Sequence, residues 1–121
     1  MTAAALLLAT AACGEPAAPA PPAGLLDSAV ARDRGRMAYL EHCAICHGVA
    51  ADGRGVREQA LSGPPADFTR PGWRGATSPG EVFTVLREGV RGTSMPSWRS
   101  LPEGETWDIV AYLWSVGEAA P

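Results

Sequence analysis

Lysine is absent from this chain: its ten cations are all arginine, set against thirteen acids for a formal charge of −3. Without a basic excess there is no electrostatic footprint for nucleic acid, and the acids form no run of the kind that keeps a tail disordered. Cysteine is scarce. Cys13 stands alone and Cys43 and Cys46 make one pair, so no disulfide framework is in view. Histidine occurs only at His42 and His47. Alternating runs of β-branched residues are missing, which leaves no case for strands, and no internal repeat is present. What is plentiful is Gly (14) and Pro (11), high for 121 residues, so much of the chain is expected to be loop and turn. A domain with few regular elements buries a modest core, and a bound prosthetic group would add apolar contacts that the chain itself lacks.

The apolar run at residues 2–12 is too short to span a bilayer as a helix but suits the core of an export signal. It ends at Cys13 and resembles the end of a bacterial lipoprotein signal, in which that cysteine is acylated and becomes the mature N-terminus. Thr10 stands where that family prefers Leu, and no basic residue precedes the run. Ordinary cleavage near Ala18, without an anchor, is the alternative. Either reading puts the folded part outside the cytoplasm, periplasm-facing and, with the lipid, anchored to a membrane. Residues 1–12 are then signal, 13–27 lipidation site and Pro/Ala-rich linker, and 28–121 the folded domain. The stretch EPAAPAPPAG favours extended polyproline II and as a dozen-residue spacer would reach on the order of 40 Å.

Three helices are expected. The first covers about residues 28–44, with Val30, Met37, Leu40 and Ala44 on one face and Met37 a core residue. The second starts at Ser78, an N-cap followed by Pro79 and by Glu81 at the capping-box position, with Phe83, Leu86 and Val90 on one face. The third covers about residues 102–116, apolar over most of its girth and so buried on two sides. Glu103, Glu105 and Asp108 near its start complement the helix dipole. The irregular stretches 48–77 and 91–101 are long for a small domain and are expected to wrap a ligand, with Phe68, Trp73 and Trp98 packed inside.

The chemistry concentrates in Glu41-His42-Cys43-Ala44-Ile45-Cys46-His47-Gly48. Zinc would need four ligands, yet both histidines adjoin the cysteines and no second ligand pair follows. A redox dithiol would need a strand–helix–strand setting. Cys-x-x-Cys-His at the end of a helix fits covalent haem c: two thiols add to two vinyl groups and the histidine, His47, is held under the iron. A second axial ligand must then come from afar. Met95, in the loop Arg91–Trp98 and followed by Pro96, suits a fixed ligand better than a core gap-filler. His42 lies on the attachment segment and cannot reach the opposite haem face.

Taken together, GRMAYLEHCAICHG, DGRG, GPPADF, GTSMPSW and WDIVAYLWSV resemble a monohaem class I cytochrome c of bacterial type, over about Gly35 to Gly117. The resemblance implies an all-α fold: a small cytochrome c domain of three main helices with long loops wrapping one covalently bound haem. It implies first and last helices that cross, with Gly35 and Tyr39 against Tyr112. It also implies a proline carbonyl accepting from the His47 imidazole, with Pro64 the matching residue and Pro65 its neighbour. The expected site is Cys43, Cys46, His47, Met95 and Pro64, with His47 and Met95 on the iron.

Iron held on both sides leaves no place for substrate, so the expected function is one-electron transfer between a redox protein donor and an acceptor, both membrane-bound, with no catalysis of its own. A haem-based gas or redox sensor, or a small peroxidase, would need Met95 to be displaceable. Residues 54–99 carry seven Arg against four acids, a net +3 that suggests a basic docking ring for an acidic partner, with Arg91 and Arg99 in it.

Overall fold

The computed structural model describes residues 14–119; Cys13 and the apolar run before it lie outside the described residues. Among those described there is no strand: helices α1 (Ala29–His42), α2 (Ala44–His47), α3 (Pro79–Glu88) and α4 (Glu103–Ala119) are joined by loops holding two single 3₁₀ turns. None of these helices is long and apolar enough to cross a membrane. The all-α fold is as expected.

Helix α1 starts at Ser28, whose hydroxyl accepts from the Ala31 N–H at 3.2 Å. Its buried face is Ala31, Gly35, Ala38 and Tyr39. That differs from the expected stripe: Val30 is 63% and Met37 67% exposed. The reason is distance. The helix crosses α4 so closely that a Cβ at Gly35 would overlap the Asp108 carbonyl, and only small side chains tolerate that approach. Around the contact Tyr39, Ile109, Val110 and Thr106 are fully buried, and the Tyr39 and Tyr112 rings lie 5.1 Å apart. Asp108 does more than offset a dipole. It is buried and takes a two-pronged hydrogen bond from Arg34, Nε at 2.7 Å and an Nη at 2.9 Å, which clamps α1 to α4.

Helix α3 begins with the full capping box, Ser78 to the Glu81 N–H and Glu81 back to the Ser78 N–H. Phe83 stacks on Trp107 of α4 with ring centroids 4.2 Å apart. Val90 does not join that face, because the helix stops at Gly89 (φ 72°) and Val90 lies beyond the stop. Helix α4 is buried on two sides as its composition implies. Its start lacks a polar side-chain cap, and the carbonyls leading into it are held: Arg87 of α3 donates to the Leu101 carbonyl at 2.7 Å, and the Thr106 hydroxyl donates to that of Pro102.

The Pro/Ala segment is not a free spacer along its whole length. A Cβ at Gly80 would overlap the Pro19 carbonyl, so the strap rests on the first turn of α3. Leu25 and Leu26 pack on the core, and Arg32 Nε donates to the Leu26 carbonyl at 2.8 Å. Small and imino residues let the strap lie flat there. The freely extended reach of the linker is correspondingly shorter than a dozen residues would give.

Candidate functional site

Cys43 ends α1 with φ −114°, and the chain re-enters a separate helical turn, α2, instead of continuing as one helix to Ala44. The 53–57 arch bonds onto that turn: Gly53 N–H to the His47 carbonyl at 2.8 Å, Gly55 N–H to Cys46 at 3.1 Å, Arg57 N–H to Ile45 at 3.0 Å. The Tyr39 hydroxyl, kept neutral by burial above the ordinary phenol range, donates to the Gly48 carbonyl at 2.6 Å. Two thiols and an imidazole are thus held on one rigid turn, backed by α1 and the arch.

That turn forms one wall of a cavity of about 830 Å³, within the range of small-molecule and cofactor sites. Cys43, Cys46, His47, Pro64 and Met95 all line it. So do Phe68, Trp73 and Trp98, the aromatic residues of the wrapping loops.

His47 Nδ1 lies 3.2 Å from the Ala66 carbonyl oxygen. A carbonyl only accepts, so Nδ1 carries the proton and Nε2 keeps its lone pair. Burial lowers the His47 pKa, with the Ala66 bond acting weakly the other way, so the ring is neutral at pH 7 and fit for ligation. The partner is therefore Ala66, not Pro64: Pro64 lines the cavity, but the imidazole meets the carbonyl two residues on. Packing sets that register. Gly53 lies against the Pro65 and Ala66 carbonyls, and the Phe68 N–H donates to Ala51 at 2.9 Å. Behind the imidazole, rings follow one another at 5.2 Å (Phe68), 5.1 Å (Trp73) and 5.6 Å (Trp114). Nothing in GPPADF distinguishes one carbonyl from the next, so sequence reasoning had no signal for Ala66.

Met95 is half-buried. Its backbone is held at both ends: the Thr93 hydroxyl accepts from its N–H at 3.1 Å, and its carbonyl accepts from Val90 at 3.1 Å. Gly89 makes the loop possible, since a side chain there would strike the Met95 carbonyl and Pro96. Ser62 and Ser94 pair across the two loops through N–H bonds of 2.8 and 3.2 Å, closing the lower loop onto the methionine loop.

Burial, with Cys46 nearby, pushes the Cys43 thiol up to about 12. A redox dithiol requires the opposite, a thiol whose pKa is lowered. Among the described residues no group of three or more His, Cys, Asp or Glu side chains could hold a metal ion, which removes the zinc reading there. What remains fits haem c: two thiols on one turn, an imidazole with a free Nε2, a thioether in the same cavity, and a lining that is mostly apolar.

Comparison with known proteins agrees. Residues 30–113, more than half of the chain, match the family described as cytochrome c oxidase, cbb3-type, subunit III. A chain of a reducing HAO-like protein complex from Kuenenia stuttgartiensis has a similar structure, with a TM-score of 0.66 and 30% sequence identity. The likeness covers 74% of this chain but 44% of that one, so this chain spans less than half the length of the protein it matches. Cavity, attachment turn and family match together identify a monohaem c-type cytochrome: the chain belongs to the cbb3-type cytochrome c oxidase subunit III family, with one covalently bound haem c.

Proposed function

We propose that this electron-carrying cytochrome domain holds its iron between His47 and Met95 and passes single electrons between redox proteins outside the cytoplasm. When bound, haem supplies an iron whose two oxidation states differ by one electron. The observation that carries the reading is that His47 and Met95 line one cavity, the His47 ring held by the Ala66 carbonyl and the Met95 backbone held by Thr93 and Val90. Cys43 and Cys46 anchor the group. The Ala66 carbonyl orients His47 and raises its basicity. Met95, a soft thioether, favours the ferrous form and so a higher potential. The aromatic and aliphatic lining keeps water from the site. Rigid loops on both faces suit a carrier, because little has to move when the charge changes.

Carbon monoxide tests this on the haem-loaded protein. The ferrous spectrum of the wild type is expected to be unchanged by the gas, and that of Met95→Ala to shift as the position opens. A shift in the wild type would refute fixed Met95 ligation and bring sensing or peroxidase chemistry forward.

Membrane attachment through a lipid on Cys13 is part of the same proposal and rests on the sequence at residues 2–13. With the strap against α3, such an anchor would keep the domain near the surface and raise its concentration at a fixed partner, as expected of a subunit in a redox assembly. Labelled palmitate is expected in the wild type and absent from Cys13→Ser; equal labelling of both, or of neither, would sink the anchor.

A further inference from the structure

His42 is left over once the iron is held by His47 and Met95, yet it stands where charge matters. It lines the cavity beside Cys43, and its side chain is 24% exposed. Its Nε2 lies 3.9 Å from a carboxylate oxygen of Glu41 and 3.9 Å from one of Glu105. Its ring is tilted 47° against that of Trp98, centroids 5.4 Å apart. Trp98 is three residues past Met95 and is tied to α3 by its N–H to the Leu86 carbonyl at 2.8 Å.

Each neighbour has a defined electrostatic sense. Glu41 on α1 and Glu105 on α4 attract an imidazolium, and the Trp98 ring face does so weakly. Of the other charges nearby, Asp108, which shares the outer groove with Glu41 and Glu105, is taken by Arg34, and Arg99 lies 3.5 Å from Glu88, while Arg57 lines the same cavity with no ion pair among the described residues and opposes an imidazolium whatever the oxidation state. The remaining influence is the cavity itself, which holds one more positive charge when the carrier is oxidised. Two carboxylates on one side and a changing charge on the other make an imidazole that feels the oxidation state.

We propose that His42 takes up a proton from solvent when the carrier is reduced and releases it on oxidation, so that electron transfer at this site is coupled to a proton. The inference rests on the carrier reading. The incoming electron comes from the redox donor and stays at the iron; the proton comes through the exposed edge of the ring and forms only the imidazole N–H bond. Because linkage is reciprocal, tighter proton binding in the reduced state means a potential that falls as pH rises.

The test is a spectroelectrochemical titration of the haem-loaded full chain from pH 5 to 8. The wild-type potential is expected to fall across that range, His42→Gln to be flat, and Glu105→Gln to keep the fall but displace it to lower pH. A flat wild type, or an undiminished fall in His42→Gln, would overturn the proposal. Should His42→Gln fail to fold, the ring resonances of wild-type His42 decide: proton binding at least about threefold tighter in the ferrous than the ferric form is expected, half a pH unit being a factor of about three, and equal binding overturns it. Loaded protein with a flat potential would sink the His42 coupling alone, whereas protein that takes up no haem would sink the carrier reading with it.

Discussion

Replacing Gly35 by alanine tests whether the crossing of α1 and α4 is set by backbone contact. In an isolated helix this change helps, by about 1 kcal/mol. Here the new Cβ would overlap the carbonyl of Asp108 and come within 3.0 Å of the Ile109 nitrogen. Those atoms belong to a buried helix backbone and cannot rotate away, so the helices must separate. Overpacking of this kind costs about 1–3 kcal/mol, and the upper end applies because no flexible side chain absorbs it. Separation also loosens the packing of Tyr39, Ile109 and Val110, all at 0–1% exposure, and a gap of about 0.5–1 Å forfeits a quarter to a half of each dispersion contact. Allowing roughly 1–2 kcal/mol for that and subtracting the propensity gain leaves a net loss of roughly 2–4 kcal/mol. For a domain of this size that lowers Tm by roughly 10–30 °C. The control is Gly104→Ala in the first turn of α4, where no atom lies within 4 Å of the new methyl group. The same chemical change there is expected to stabilise by about 0.5–1 kcal/mol. Denaturant unfolding of the haem-loaded proteins, followed by helix signal, reads both. Gly35→Ala within about 0.5 kcal/mol of wild type would refute the backbone-contact account.

Ser78→Ala is expected to cost about 1 kcal/mol in thermal melts at neutral pH, the usual loss of an N-cap. The Glu81 part of that box depends on charge: the Ser78 side-chain and backbone bonds hold its carboxyl below the ordinary range. Its contribution is therefore present above the unfolded glutamate value and is lost as pH falls through the lower folded one. The stability gap between wild type and Glu81→Gln should be open at pH 7 and narrow as the pH falls below the ordinary glutamate range; a gap that does not narrow would refute the assignment. For docking, Arg99 is a poorer choice than the charge count suggested, since it pairs with Glu88. Arg54, Arg57 and Arg91 are exposed and have no ion pair among the described residues, and Val56 between the first two is 93% exposed. Arg54→Glu with Arg57→Glu is expected to slow transfer to an acidic partner about tenfold or more at low salt and little at high salt. An unchanged rate at low salt would remove this arch from the docking surface.

The attachment turn, the capping box at Ser78 and the two-sided burial of α4 were legible in the residues because each is written in local spacing: five positions for CAICH, four for the box, one apolar girth for the helix. The all-α class followed from the same periodicities. What could not be read locally was the face of α1. Val30 and Met37 satisfy helical periodicity as well as Ala31, Gly35 and Ala38 do, and hydrophobicity alone favours the wrong set. Only the approach of α4 decides, because the close crossing selects for small size instead of apolar character. Ala66 in place of Pro64, the strap on Gly80, the Arg34–Asp108 clamp and the two carboxylates at His42 have the same origin. Each joins residues far apart along the chain, and which carbonyl or carboxylate meets a given ring is settled by how the loops and helices pack. The sequence by itself determined the class of group that is attached; the tertiary structure alone decided what surrounds it, since those contacts exist only once α1, α4 and the two loops have closed on the cavity.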